Sequence, residues 1–107
     1  MKISVIIVSY NCKAFLDYCL QSVTKALRQI DSEILVIDNC STDGSVEYLK
    51  SKTYDIRIVE NKKNLGFSIA NNKGAKLAKG EYLFFLNPDT IIPEDLIESF
   101  FKNKKPN

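Results

Sequence analysis

Stretches of apolar residues alternate along the chain with stretches in which apolar residues recur at helical spacing. The apolar stretches predict strands, because short runs of β-branched and aromatic residues are typical of buried parallel strands; they cover residues 3–9, 33–38, 56–60 and 81–87. The periodic stretches predict helices at about 13–29, 46–52, 67–79 and 93–101. Strands and helices that alternate through short connections predict an α/β fold, an open, mainly parallel sheet with helices on both faces.

Several residues predict where these elements begin and end. Gly66 favours a positive φ or a tight turn before the third helix. Gly80 stands where the C′ glycine of that helix belongs, and Pro93 fits the first turn of the fourth helix. Three residues that can cap a helix precede the second helix, namely Ser41, Thr42 and Asp43. The third helix is predicted to turn one stripe toward the sheet, made of Phe67, Ala70, Gly74, Leu77 and Ala78.

The composition is that of one globular domain. Of the 107 residues, 45% are hydrophobic and 26% are charged, which excludes a disordered chain. We predict one domain over residues 1–101 and a Lys-rich tail at 102–107. The formal net charge of +2 becomes −1 without the three tail lysines, so the body of the domain has no basic surface for nucleic acid. We therefore expect no nucleic-acid partner.

Chemistry based on histidine or on paired cysteines is excluded. The chain has no histidine, which removes Ser-His-Asp and Cys-His nucleophiles, HExxH zinc sites and an imidazole general base. Cys12, Cys19 and Cys40 show no CxxC spacing, and they favour a reducing, cytoplasmic location. The apolar runs are shorter than the roughly 20 residues of a spanning helix. Carboxylates must carry any acid–base chemistry.

Two carboxylates lie at the predicted carboxyl edge of the sheet. Asp38 ends the second strand, and Asp89 lies just beyond the fourth. Ligands of open parallel sheets bind outside this edge. A carboxylate there can accept hydrogen bonds from a nucleobase N–H or a ribose, or bind a hard divalent ion together with diphosphate oxygens. The alternative is structural: Asp38 anchors its own loop, and Asp89 stabilises a turn.

The glycines do not form a phosphate-binding loop. The four glycines lie at positions 44, 66, 74 and 80, and neither GxGxxG nor GxxxxGK[ST] can be assembled from them. A dinucleotide oxidoreductase and a P-loop NTPase are therefore disfavoured. Without such a loop, we expect a metal ion to neutralise a bound diphosphate.

Four ordered motifs carry a resemblance to a known family. They are SVIIVSYN (4–11), IDNCSTDGS (37–45), NLGFSIANNKG (64–74) and LNPDT (86–90). The chain resembles, over about residues 4–100, the nucleotide-binding half of the inverting family 2 glycosyltransferases with the GT-A fold, and it is most similar to the bacterial rhamnosyltransferase-like members. The resemblance implies a truncated GT-A domain that takes part in polysaccharide biosynthesis.

The resemblance implies a pocket for the base of a nucleotide. Val8, Ser9 and Tyr10 would line it, with Tyr10 near the base, and Asp38 would accept a hydrogen bond from the ring N–H of a pyrimidine. Uracil and thymine offer that N–H, whereas cytosine would place an acceptor against an acceptor. The implied donor is therefore a UDP-sugar or a dTDP-sugar.

The resemblance also implies contacts with the rest of the donor. Gly66 and either Asn71 or Asn72 would lie over the nucleotide. Asn87 and Asp89 take the place of the two aspartates of a DxD motif, so that Asn87 would bind the ribose and Asp89 a divalent metal, Mg²⁺ or Mn²⁺. The first position of the motif here brings no charge.

These implications lead to one functional prediction and two alternatives. The prediction is an inverting glycosyltransferase, or its donor-binding part, that transfers a sugar to a glycan or a lipid-linked acceptor. Carboxylates after Asp89 belong to a predicted helix, so the catalytic base is not in this chain, and the chain alone should be inactive. The alternatives are a catalytically silent nucleotide-sugar-binding or regulatory module and a nucleotidyltransferase, although SYNCKAF lacks the glycine that the latter prefers.

Two further contacts are expected. A parallel sheet with an uncovered edge invites pairing with another chain, which predicts self-association. The Lys-rich tail is interpreted as a solvated end; the alternative is peripheral contact with acidic lipid at the inner face of the membrane.

Overall fold

Strands and helices alternate along the chain in the computed structural model, which describes residues 1–103. The strands are β1 (Ile3–Ser9), β2 (Ser32–Asp38), β3 (Arg57–Glu60) and β4 (Tyr82–Leu86). The helices are α1 (Lys13–Ala26), α2 (Ser45–Lys50), α3 (Phe67–Leu77) and α4 (Leu96–Asn103). The predicted order of elements is confirmed.

The strands form one parallel sheet in the order β3-β2-β1-β4. In β1, Ile3 pairs with Ser32 of β2 on one side and with Tyr82 of β4 on the other. The chain builds the sheet outward from β1 through β2 to β3 and then returns to add β4 on the opposite side. Because every strand runs in the same direction, all four carboxyl ends lie at one edge of the sheet.

The reversal of direction explains which face each helix covers. Right-handed crossovers place helices on one face while the chain moves outward and on the other face when it returns. Accordingly α1, α2 and α4 pack on the face of Ile3, Val5 and Ile7, whereas α3 packs on the face of Ile6 and Val8. The predicted helices on both faces are confirmed.

Helix α3 lies unusually close to the sheet. A Cβ atom at Gly74 would lie 2.6 Å from Cγ2 of Ile6 in β1, so only glycine fits at this position. Neighbouring Ala70 is fully buried in the same interface. Phe67, by contrast, is 58% exposed, so its predicted place on the buried stripe is wrong: it follows the turn at Gly66 and lies beyond the sheet.

Gly80 has a different role from the one predicted. α3 ends at Leu77, its C-cap Ala78 is extended, and Gly80 is not among the glycines with positive φ, which are Gly44 and Gly66. A Cβ atom at Gly80 would instead lie 2.5 Å from the backbone nitrogen of Ser4. Gly80 is therefore explained by close approach to β1 and not by a helix cap.

Helix ends differ from the predicted ones in three other places. α1 ends at Ala26, because a turn follows in which Gln29 has a φ of 69°. The N-cap of α2 is Gly44, and the carboxylate of Asp43, which precedes it, accepts a hydrogen bond from the N–H of Ser45. Pro93 precedes α4 in a separate turn, closed by the bond that the N–H of Leu96 donates to the carbonyl of Pro93.

The predicted boundary before the tail falls inside α4, which continues to Asn103. Residues 104–107 of the predicted Lys-rich tail lie outside the described residues. Among the described helices, none has the length and apolar character needed to cross a membrane.

One side of the sheet is only partly covered. Leu83 and Phe85 of β4 lie on the α3 face but beyond α3, and they are 41% and 47% exposed. A groove of about 330 Å³ continues this apolar surface around β4; its walls include Tyr82, Phe84 and Phe100.

Candidate functional site

A cleft of about 510 Å³ opens at the carboxyl edge of the sheet. Its walls come from the segments that follow β1, β2 and β4 and from the loop before α3. The lining residues are Val8, Tyr10, Cys12, Phe15, Asn39, Asn64, Gly66, Phe67, Asn87, Pro88 and Asp89.

The topology of the sheet explains the position of the cleft. The chain adds β2 and β3 on one side of β1 and then returns to add β4 on the other side, so the strand order reverses between β1 and β4. This is the switch point at which open α/β sheets bind their ligands. Tyr10 on one wall and Asp89 on the other are therefore brought together from distant parts of the sequence.

Five of the predicted site residues line this cleft. Val8 and Tyr10 form the β1 wall, Gly66 lies before α3, and Asn87 and Asp89 follow β4. As expected, these residues from the ends of different strands lie together at one edge of the sheet.

The other predicted site residues lie outside the lining. Ser9 is fully buried, and its backbone carbonyl accepts a hydrogen bond from the N–H of Asn39. Asn71 and Asn72 lie on α3, half-buried and exposed respectively. Their contacts with a nucleotide stay predictions.

The carboxylate of Asp38 forms hydrogen bonds within its own loop. Asp38 is 4% exposed, and its carboxylate accepts hydrogen bonds from both the hydroxyl and the backbone N–H of Ser41, at 2.6 and 2.9 Å. This is the anchoring role named above as the alternative for Asp38. The contact between Asp38 and a pyrimidine ring stays a prediction.

The loops after β1 and β2 are joined by reciprocal hydrogen bonds. The side-chain oxygen of Asn11 accepts from the N–H of Thr42 at 2.8 Å, and the N–H of Asn11 donates to the hydroxyl of Ser41 at 3.0 Å. Asn11 and Cys40 adopt left-handed φ values of 52° and 66°, which turn the two loops toward each other. The two loops are thereby held together at the carboxyl edge of the sheet.

Asp43 extends this connection to the start of α1. Its carboxylate accepts hydrogen bonds from the backbone N–H groups of Lys13 and Ser45, both at 3.0 Å. Burial raises the pKa of Asp43, but these hydrogen bonds outweigh it and hold the pKa below its ordinary value. Asp43 is thus charged at neutral pH and tethers the start of α1.

Asn39 is a candidate site residue to which the sequence analysis gave no role. It follows Asp38 directly, is 2% exposed, and lines the cleft where Asp38 does not. Its side-chain N–H donates to the carbonyl of Gly66 at 3.2 Å. The strand-end rule covers Asn39 as well as Asp38, but only the carboxylate of Asp38 suggested a role.

Exposed aromatic rings surround the opening of the cleft. Tyr10, Phe15 and Phe67 are 47%, 58% and 58% exposed. Flat rings at a cleft mouth offer stacking surfaces to a planar ligand such as a nucleobase. Phe15 was not identified from the sequence, because its place in the helical pattern of α1 gave no reason to separate it from other exposed residues.

The segment after β4 supplies the acidic group of the cleft. Asn87 and Asp89 are both exposed, and they present an amide oxygen and a carboxylate, hard donors of the kind that Mg²⁺ and Mn²⁺ accept. Among residues 1–103 no group of three or more His, Cys, Asp and Glu side chains could hold an ion by itself. The donor set therefore fits a metal that takes its remaining ligands from a diphosphate and water.

A buried thiol supports this segment from below. The Cys19 thiol of α1 donates to the carbonyl of Asn87 at 3.8 Å. Burial, and secondarily the nearby charge of Asp89, raises the pKa of Cys19 to about 11. The thiol is neutral at physiological pH and acts as a packing group.

Comparisons with known proteins agree with this arrangement. The model of the family "Glycosyl transferase family 2" matches residues 4–105. The poly(ribitol-phosphate) beta-glucosyltransferase of Bacillus spizizenii is 34% identical over 112 residues, which cover 100% of this chain and 18% of that protein.

Solved structures share the fold. The crystal structure of S. aureus TarS 1-349 in complex with UDP-GlcNAc has a TM-score of 0.86 and 25% identity, covering 95% of this chain and 30% of that one. The mannosyltransferase PcManGT from Pyrobaculum calidifontis, in complex with GDP-Man and Mn²⁺, has a TM-score of 0.77 and 25% identity over 88% of this chain and 29% of that one.

The chain is much shorter than its relatives. It spans 18% of the B. spizizenii protein and 34% of the glycosyltransferase GlyG of Streptococcus pneumoniae. The finer likeness to rhamnosyltransferase-like members stays a prediction. The parallel sheet, the cleft at its switch point and the match over residues 4–105 place the chain in glycosyl transferase family 2, with the GT-A fold.

Proposed function

We propose that this chain is the donor-binding part of a glycosyltransferase and holds a nucleotide-diphospho-sugar in the cleft between β1 and β4. The observation that carries this proposal is the meeting of Tyr10, Asn87 and Asp89 at the switch point of the sheet. The fold shared with TarS, solved with UDP-GlcNAc, and with PcManGT, solved with GDP-Man and Mn²⁺, supports it.

Each wall of the cleft has a part in this proposal. The β1 wall, with Val8 and Tyr10, binds the nucleobase, and Gly66 allows close approach of the nucleotide. Asn87 faces the ribose, and Asp89 holds a divalent ion, Mg²⁺ or Mn²⁺. When bound, the ion neutralises the diphosphate and so stabilises it as a leaving group.

We propose UDP or dTDP as the nucleotide, in preference to CDP. The proposal rests on Asp38 as an acceptor for the ring N–H, which requires Ser41 to give up part of its hold on that carboxylate. TarS supports the choice, because its crystal structures hold UDP and UDP-GlcNAc.

The acceptor is proposed to be a glycan or a lipid-linked glycan, and the transfer to be inverting. The relative from B. spizizenii, which by its name acts on poly(ribitol-phosphate), supports a polymer acceptor. We locate the activity in the cytoplasm or at the inner face of the membrane.

We propose that residues 1–107 alone transfer no sugar. Inverting transfer needs a base within hydrogen-bond reach of the acceptor hydroxyl, which typically contributes roughly 10²–10⁴-fold. Among the acidic residues that the structure describes, Asp89 is the one in the cleft lining, and it is assigned to the metal. The alternative is a catalytically silent module, and the same shortage of carboxylates favours it.

Calorimetric titration with UDP, dTDP, GDP and CDP, in Mn²⁺ and in EDTA, tests the proposal. UDP or dTDP should bind more tightly than CDP, and Mn²⁺ should strengthen UDP binding about tenfold, or about 1.4 kcal/mol. Asp89→Asn should abolish the gain from Mn²⁺. Asp95→Asn, which changes an exposed aspartate in the turn before α4, is the matched control and should keep the gain.

Two results would contradict parts of this proposal. Equal UDP affinity in EDTA and in Mn²⁺ would contradict the proposed metal site. Equal affinity for CDP and UDP would contradict the proposed role of Asp38. If none of the four nucleotides bound under either condition, the assignment of the cleft would be wrong.

A further inference from the structure

A buried relay of hydrogen bonds connects α3 to the wall of the cleft. The ammonium of Lys73 donates to the side-chain oxygen of Asn61 at 2.6 Å. The side-chain N–H of Asn61 donates to the oxygen of Asn39 at 2.9 Å, and the side-chain N–H of Asn39 donates to the carbonyl of Gly66 at 3.2 Å. The relay begins on a helix outside the cleft and ends on a residue that lines it.

The direction of this relay is set by its first member. A lysine ammonium has donors only, so the atom of Asn61 that faces it must be the amide oxygen. The amide nitrogen of Asn61 then faces Asn39, and the oxygen of Asn39 must accept from it. The N–H₂ group of Asn39 is thereby turned toward Gly66 and the cleft.

The relay is costly to interrupt. Asn39 and Asn61 are 2% and 5% exposed, so water cannot replace a missing partner for either amide. The oxygen of Asn39 also lies 3.4 Å from the backbone N–H of Leu65, its donor in the loop before α3. The side chain of Asn39 thus contacts two consecutive residues of that loop.

We propose that Lys73 is a positioning residue for nucleotide binding, which acts through Asn61 and Asn39 to hold Leu65 and Gly66 at the cleft wall. The inference rests on the proposed function, because it assigns the cleft to a nucleotide. Lys73 is not in the lining of the cleft, so its effect on a ligand there has to pass through the two amides. Gly66 has a φ of 81° and no side chain to pack, so hydrogen bonds fix its position: its N–H donates to Asn64, and its carbonyl accepts from Ala70 and Asn39.

Three variants of α3 test the proposal. Lys73→Met keeps the aliphatic length and removes the donor; Lys73→Arg keeps a cationic donor; Lys76→Met removes the charge of an exposed lysine nearby on the same helix. The first readout is amide hydrogen exchange at Leu65 without ligand, and the second is the Kd for UDP by calorimetry. The melting temperature of each variant serves as the measure of a merely structural effect.

We expect Lys73→Met to speed exchange at Leu65 and to raise the Kd for UDP about tenfold, the weight of one hydrogen bond to a charged group. Lys73→Arg and Lys76→Met should bind UDP like the wild type. An unchanged Kd in Lys73→Met would overturn the proposal, and so would an equal loss in Lys76→Met, which would indicate a general charge effect. An equal loss in Lys73→Arg would overturn the donor argument.

The two readouts separate this inference from the proposed function. If the wild type bound no nucleotide, the assignment of the cleft would fail, while exchange at Leu65 would still report on the relay. Unchanged exchange at Leu65 in Lys73→Met would overturn the relay even if UDP bound as proposed.

Discussion

At the scale of single residues, Asp38 and Asn39 show how neighbouring polar side chains at a strand end take different roles. Asp38 turns back to Ser41 and stabilises its loop, whereas Asn39 reaches the cleft and the loop before α3. The sequence locates both at the correct edge of the sheet. It cannot tell their directions apart, because the alternation of a strand ends there and the left-handed φ of Cys40 redirects the chain.

The raised pKa values of two side chains, one buried and one half-buried, predict how stability depends on pH. Burial raises the pKa of Cys19 from 9.0 to about 11, and burial together with a hydrogen bond to Asp17 raises the pKa of Tyr54 from 10.0 to about 12. The folded state keeps these protons where the unfolded state has lost them. The stabilisation is therefore complete below pH 9 and is lost as pH rises through 11 and 12.

Urea unfolding at a series of pH values between 7 and 11 measures this loss, to which Cys19 should contribute on the order of 3 kcal/mol. Cys19→Ala should flatten the decline between pH 9 and 11, whereas Cys40→Ala, which removes an exposed thiol, should leave it unchanged. A stability that stays constant up to pH 11 in the wild type would contradict the prediction.

At the scale of elements, the sequence predicts every strand and helix but not every boundary. Three strands are recognisable because each holds a run of apolar residues, whereas β3 is short and has charged residues at both ends. The roles of glycines are harder to predict. Gly80 follows α3 and is required because it lies close to β1. Gly44 precedes α2 and is required by its positive φ of 80°.

Alanine at these two glycines should have different costs. Gly80→Ala places a Cβ atom 2.5 Å from the nitrogen of Ser4, so β4 has to move away from β1, and we expect a loss of about 3 kcal/mol. Gly44→Ala meets Nζ of Lys13 at 3.8 Å, an ordinary contact, and should cost only the strain of positive φ, about 1 kcal/mol. Chemical denaturation of both variants measures the difference, and equal losses would refute the explanation given for Gly80.

At the scale of the whole molecule, the described residues leave the α3 face of β4 uncovered. The sequence motifs predict the family and the fold, because they span nearly the whole chain. They do not predict which apolar residues stay exposed, since Leu83 and Phe85 read like any other residues of a buried strand. Their exposure depends on what lies beside β4, and the strand itself carries no information about that.

We expect this surface to cause self-association of the chain. Exposed apolar area costs about 25 cal/mol per Å², and a second copy can cover it. Replacing both Leu83 and Phe85 with lysine should shift the chain toward monomer in light scattering. Ile91→Lys, at a residue 67% exposed and outside β4, is the control and should not change the association. A wild-type chain that scatters as a monomer at all concentrations would contradict the expectation.

The pairing of β1 with β4 also has a consequence for the order of folding. Ile3 and Tyr82 lie near opposite ends of the described chain, so their pairing closes the longest loop in the sheet, and contacts of such large sequence separation form late. The cleft has one wall on each of these two strands. A chain arrested with β1, β2 and β3 assembled would possess half a cleft, so the pairing of β4 has to precede capture of the ligand.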